Sequence, residues 1–191
     1  MRLNRMNRLS IDEIVDIYDK LLEEQDYELR DIVNIEERLV RKISRDRHSE
    51  YRFSLQRIKD SLIDHLVKYG SYLKTEYRKD DQLAEKTLIK ALKFDKTNPI
   101  ALYRLGFLAY KKRNYSRSVY FFESALKSHE LNEKHRHALN SQQRYNASLY
   151  LCNSALYVAE FAQKSLAEIE GEVERENSVN LELFPLYKYI K

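Results

Sequence analysis

Glycine and proline are scarce in this chain, at three and two among 191 residues. An all-β protein needs turn signals at intervals of roughly eight to twelve residues, which so few breakers cannot supply; long helices need few. The expectation is an all-α fold. Cysteine is scarcer still. Cys152 stands alone, so no internal disulfide forms, and neither an apolar signal core nor a membrane-spanning run is present. A cytoplasmic protein with no membrane association is predicted.

Catalytic signatures are also missing. The glycines, at positions 70, 106 and 171, are too scattered for a phosphate-cradling loop, and no Gly-x-Ser-x-Gly, His-Glu-x-x-His or paired-cysteine motif occurs. His129, His135 and His137, near Glu130 and Glu133, lack zinc-site spacing and read as a polar loop. The chain is therefore read as a non-enzyme with no cofactor and no metal.

Apolar residues make up 43% and charged residues 34%, enough for a continuous core under a well-solvated surface. The net charge of +4 is unevenly distributed: residues 1–37 carry 5 basic and 11 acidic groups, 38–117 carry 21 and 9, and 118–191 carry 8 and 10.

Helical periodicity is clear from the first helix, about Ser10 to Glu24. Ser10 and Glu13 have capping-box spacing, and Ile11, Ile14, Val15, Tyr18, Leu21 and Leu22 form a stripe. Its opposite face is acidic through Asp12, Asp16, Asp19 and Glu23. A second helix is read from about Glu28 to Arg45, and a third from about Ser49 to Arg78, the two joined without a strong stop signal.

From Asp80 the helices shorten and small residues recur. A shift of 34 residues pairs Leu88 with Phe122, Ala91 with Ala125 and Leu92 with Leu126. In the central copy Leu102, Leu105, Gly106, Ala109, Ser118, Phe122 and Glu130 stand at the positions of W-x2-L-G-x2-Y…A-x3-F…P, three of the seven being identical. This stretch resembles the tetratricopeptide repeat, a helix-turn-helix that stacks on copies of itself. Asn98 and Pro99 make a good helix start, and Gly106 and Phe122 suit a close approach with a ring wedged between helices. The flanking copies are looser. The first begins near residue 65 and has Lys68 and Tyr72 where the pattern wants a large apolar and a small residue. A third, Leu139 to Glu172, places Tyr145, Asn146 and Leu149 in one helix and Ala162 and Ser165 in the next, after a six-residue insertion.

The resemblance implies an α-solenoid of stacked hairpins over residues 80–172, preceded by an N-terminal helical bundle over 1–79. A polar linker and apolar tail follow at 173–191. It also implies that the first helix of each hairpin lines a concave binding face. On the central copy that face carries Ile100, Tyr103, Arg104, Phe107, Tyr110 and Lys111; on the third, Gln143, Asn146, Ala147 and Tyr150. Tyrosine offers rigid contact area with a hydroxyl, and Arg104 and Lys111 suit a carboxylate. The competing reading is that Phe107 and Tyr110 simply pack on a neighbouring helix. Family members that clamp a chaperone's acidic tail use lysines and asparagines spread over three copies; only Arg104 matches here.

A basic block, Arg38, Arg41, Lys42, Arg45, Arg47, Arg52, Arg57 and Lys59, is read either as a phosphate-polymer contact or as a partner for the acidic first helix. Arg2, Arg5 and Arg8 read as a solvated terminus. The tail holds Leu181, Leu183, Phe184, Leu186, Tyr187 and Ile190, too apolar to leave in water, and is read as a cap on the last hairpin. The function expected is non-catalytic binding of a protein or peptide, as an adaptor, scaffold or inhibitor. The alternatives are a peptide-responsive or nucleic-acid-associated regulator and a homo-oligomeric structural subunit.

Overall fold

The computed structural model describes residues 9–24, 27–46, 48–74 and 80–176. Every regular element among them is helical: α1 Ile11–Glu24, α2 Leu29–Arg45, a 3-10 turn Glu50–Ser54, α3 Leu55–Leu73, α4 Asp81–Phe94, α5 Pro99–Lys111, α6 Tyr115–Leu131 and α7 Ser141–Glu176. No described helix is long and apolar enough to cross a membrane. Arg2, Arg5, Arg8, Arg47 and the apolar tail 181–190 lie outside the described residues.

Helix starts follow the local chemistry. The Ser10 amide donates to Glu13 Oε2 at 2.6 Å and the Glu13 amide to Ser10 Oγ at 3.1 Å, the expected reciprocal cap. Asp80, Asn98, Asn114 and Asn140 each accept an amide from the residue three further on, so α4, α5, α6 and α7 all start on an Asp or Asn side chain. The α5–α6 turn closes with Arg113 at φ 57°, and the Asn114 amide bonds back to the Ala109 carbonyl; this left-handed exit ends α5 without glycine. The second and third helices are separate, α2 ending at Arg45 as read, and the 3-10 turn lies between α2 and α3. Ser49 caps that turn through the Tyr51 amide.

Packing is between successive helices, with α5 also touching α3 and α7. Small residues set the closest approaches. A Cβ built on Gly106 would meet the Phe122 ring at 2.8 Å, and one on Gly70 would meet Leu88 Cγ at 2.7 Å. Both glycines therefore seat a large residue of the following helix. The two glycines are 36 residues apart and the residues they seat 34 apart, so the matching contacts align Leu66, Tyr69, Gly70 and Leu73 with Leu102, Leu105, Gly106 and Ala109, two places before the positions a uniform 34-residue shift picks out. From glycine to seated residue the spacing is 18 positions in the first pair and 16 in the second. Further along, Ser118 Oγ donates to the Gly106 carbonyl at 3.3 Å and Ser154 Oγ to Ser118 Oγ at 2.9 Å, so α5, α6 and α7 meet over side chains that add little bulk.

The third hairpin does not form. Residues 141–176 make one continuous helix, because nothing between Ala147 and Glu170 is a glycine, a proline or a capping break; Asn153 and Ser154 stay helical, with Ser154 fully buried.

The N-terminal bundle is held by apolar residues, among them Ile14, Ile32, Leu39, Ile43, Leu62 and Leu66, around one ionic centre. Glu36 is fully buried. Its carboxylate accepts from Ser61 Oγ at 2.6 Å, Tyr18 OH at 3.1 Å and His65 Nδ1 at 3.0 Å. In the neutral ring this puts the proton on His65 Nδ1, leaving Nε2 to accept from Tyr27 OH at 3.4 Å. Burial is the main cause that pushes the Tyr18 phenol up to about 12.

Candidate functional site

The face expected to bind a partner is an aromatic chain. Tyr103 meets Phe107 edge-on at 5.0 Å; Phe107 meets Phe122 at 5.3 Å and Tyr150 at 4.6 Å; Tyr110 meets Tyr150 at 4.8 Å and Tyr115 at 5.6 Å. Tyr115 then stacks on Tyr157 at 4.3 Å and 15°. Helical spacing puts Tyr103, Phe107 and Tyr110 on adjoining positions of α5, and Tyr150 of α7 closes over them. Much of this surface is therefore used to join α5 to α7, while Phe107, Tyr110 and Tyr150 keep part of their area in solvent.

Several expected contact residues have other partners. Tyr103 is only 4% exposed, held under Phe107 and against Phe122, so it supports the face from below instead of presenting a hydroxyl. Gln143 returns its amide oxygen to the Asn140 backbone as part of the α7 cap, and Asn146 Oδ1 accepts from Gln142. Ala147 is fully buried. The Lys111 ammonium is paired with Asp81 of α4.

Arg104 differs from these. It is half-buried and its Nε is enclosed without a hydrogen-bond partner among the described residues. Beside it is a residue the repeat reading missed. Lys74, just past α3, places its ammonium 4.9 Å from the centre of the Phe107 ring. Desolvation first, then the Arg104 charge, lower its pKa to about 8, with Asp81 opposing and Lys111 reinforcing. The spacing of the two glycines was the signal that would have found it, since aligning Gly70 with Gly106 ends the matched stretch at Leu73 and Lys74 follows directly.

No protein-family model, curated protein or solved structure matches the chain.

The basic block is dispersed by the fold. Arg41, Arg45, Arg52 and Arg57 are exposed, while Arg38, Lys42 and Lys59 are half-buried. Lys42 donates to the Leu9 carbonyl at 2.7 Å, tying α2 to the chain entering α1. Tyr51, in the 3-10 turn, has its phenol pushed up to about 12, chiefly by its hydrogen bond to Asp12.

A second polar cluster was hidden by sequence distance. Asp95, His135 and His137 bring three metal-capable donor atoms within 4.8 Å of one another. Each is already engaged. His135 Nε2 faces Asp95 Oδ2 at 3.1 Å, and its Nδ1 takes the His137 amide at 3.0 Å. The Asn98 amide nitrogen reaches Asp95 Oδ2 and His137 Nδ1, and His137 Nε2 lies 2.7 Å from Asp64 Oδ1. The cluster staples the α6–α7 connector to α3 and to the start of α5.

Burial is the leading cause that lowers the His137 pKa, against the opposing pull of Asp64. The folded state thus takes up this proton less readily than the unfolded chain, so the stabilisation is present above the ordinary histidine value of about 6.5 and declines as pH falls below it. The melting temperature is expected to drop between pH 7 and pH 5, with a smaller drop in His137→Gln. Equal slopes for the two proteins would assign the pH dependence elsewhere.

Proposed function

We propose that α3 to α6 act as two stacked, tetratricopeptide-like hairpins extended by α7. In this reading the chain is a non-catalytic recognition module that holds an acidic peptide segment of another protein across α3, α5 and α7. The observation that carries it is the pair Lys74 and Arg104 beside the half-exposed Phe107 ring. Two cations share one partly desolvated place, and Asp81, the acid that acts on Lys74, is paired with Lys111. An incoming carboxylate relieves that repulsion and supplies the guanidinium's missing partner, while Phe107 and Tyr150 give apolar area for neighbouring side chains.

A displayed random-peptide library, selected on the wild-type chain, tests this. Acidic peptides are expected to be enriched, with affinity reduced tenfold or more by Arg104→Glu, about 1.4 kcal/mol. Affinity is also expected to decline as pH rises through 8, where Lys74 loses its proton, and Lys74→Met removes that decline. Absence of enriched peptides, or peptides indifferent to Arg104→Glu, contradicts the reading.

A further inference from the structure

α7 runs past the helices it packs on. Its buried side is marked by Ala147 and Ser154, both at 0% exposure, and by Tyr150 against α5. Tyr157 reaches the start of α6 by stacking on Tyr115. Continued at helical spacing, the same side presents Val158, Phe161, Ser165 and Ile169. Phe161 is 73% exposed and Ile169 56%. Between this stretch and the α5–α6 turn is a cleft of about 580 Å³ walled by Tyr115, Tyr157, Val158 and Phe161, with Arg113 and Lys164 at its edge. An apolar face of this kind costs free energy while it stays wet.

We propose that residues 181–190 of the same chain return along α7 and fill this cleft, with Phe184 placed against Phe161. The inference is independent of the peptide-binding reading. Three arguments select this occupant. The segment LELFPLYKYI has seven large apolar or aromatic residues and is joined to the end of α7, which gives it an effective concentration on the order of millimolar at the cleft.

Its reach fits. Phe161 is about 22 Å back from Glu176 along the helix at ~1.5 Å per residue. Phe184, eight residues beyond Glu176, spans about 26 Å when extended at ~3.3 Å per residue. A helical return would carry it only about 12 Å, and Pro185, which lacks an amide donor, disfavours that form.

Charge also agrees. Glu182 precedes Phe184 and, on the same extended return, reaches the level of Lys164, whose side chain lines the cleft.

Hydrogen exchange of the full chain decides the matter. Backbone amides of 181–190 are expected to exchange at least tenfold more slowly than in an unstructured chain. Phe161→Asp, a change at an exposed position, restores the free rate while exchange within α5 stays unaltered. Free-rate exchange in the wild type overturns the proposal, as does protection that survives Phe161→Asp. Protection that disappears on dilution, together with a dimer in sedimentation, assigns the cleft to a second copy and overturns it equally.

Discussion

Phe122→Ala is expected to lower the unfolding free energy by about 3–5 kcal/mol, measured by urea denaturation at neutral pH. The ring is fully buried and joins α6 to two other helices, lying on Gly106 of α5 and within 6.0 Å of Tyr150 in α7. Its removal leaves a cavity that helices joined by short capped turns cannot readily collapse. The more specific result concerns Gly106→Ala. In the wild type the added methyl sits 2.8 Å from two ring carbons, an overlap that costs about 1–3 kcal/mol and offsets the helix preference for alanine of about 1 kcal/mol. In the Phe122→Ala background the overlap is gone and the same substitution is expected to stabilise. A change of sign between the two backgrounds identifies a ring seated on bare backbone; a stabilising Gly106→Ala in the wild type shows that the seat is loose. Gly70 with Leu88 offers the same cycle one hairpin earlier.

Glu36→Ala is expected to cost about 3–5 kcal/mol, because it strips the acceptor from three buried or half-buried donors, Tyr18, Ser61 and His65. Removing one member of a buried ionic cluster is worse than removing all of it. Replacing Tyr18 by Phe, Ser61 by Ala and His65 by Leu together with Glu36→Met is expected to recover most of the loss, since no stranded donor is left. Urea midpoints of the single and combined variants measure this. A single Glu36→Ala costing under about 1 kcal/mol would show that water reaches the donors.

Elements with a short-range cause were readable in advance. Ser10 and Glu13, or Asn98 and Pro99, lie within one turn of what they cap, and Gly106 with Phe122 lies within one hairpin. α7 misled because small residues at repeat spacing resembled a hairpin, yet Ala162 and Ser165 follow no breaker. The Glu36 centre was unreadable for another reason: Glu36 sits in a run of charges that resembles a solvated face, and only the crossing of α1, α2 and α3 brings Tyr18 and His65 to it. Lys74 was concealed because the two glycines are 36 residues apart while the reading used a uniform shift of 34. Tyr103 was assigned to the surface from its place on α5, whereas contact with Phe122, nineteen positions later, takes it inside.

Because each helix leans chiefly on those before and after it, the molecule resembles a row of shingles more than a single block. Loosening at the α7 end has a short route into α6 and a long one to the glutamate in the first bundle. Amide protection is therefore expected to be graded along the chain, with the last helix exchanging ahead of the first bundle.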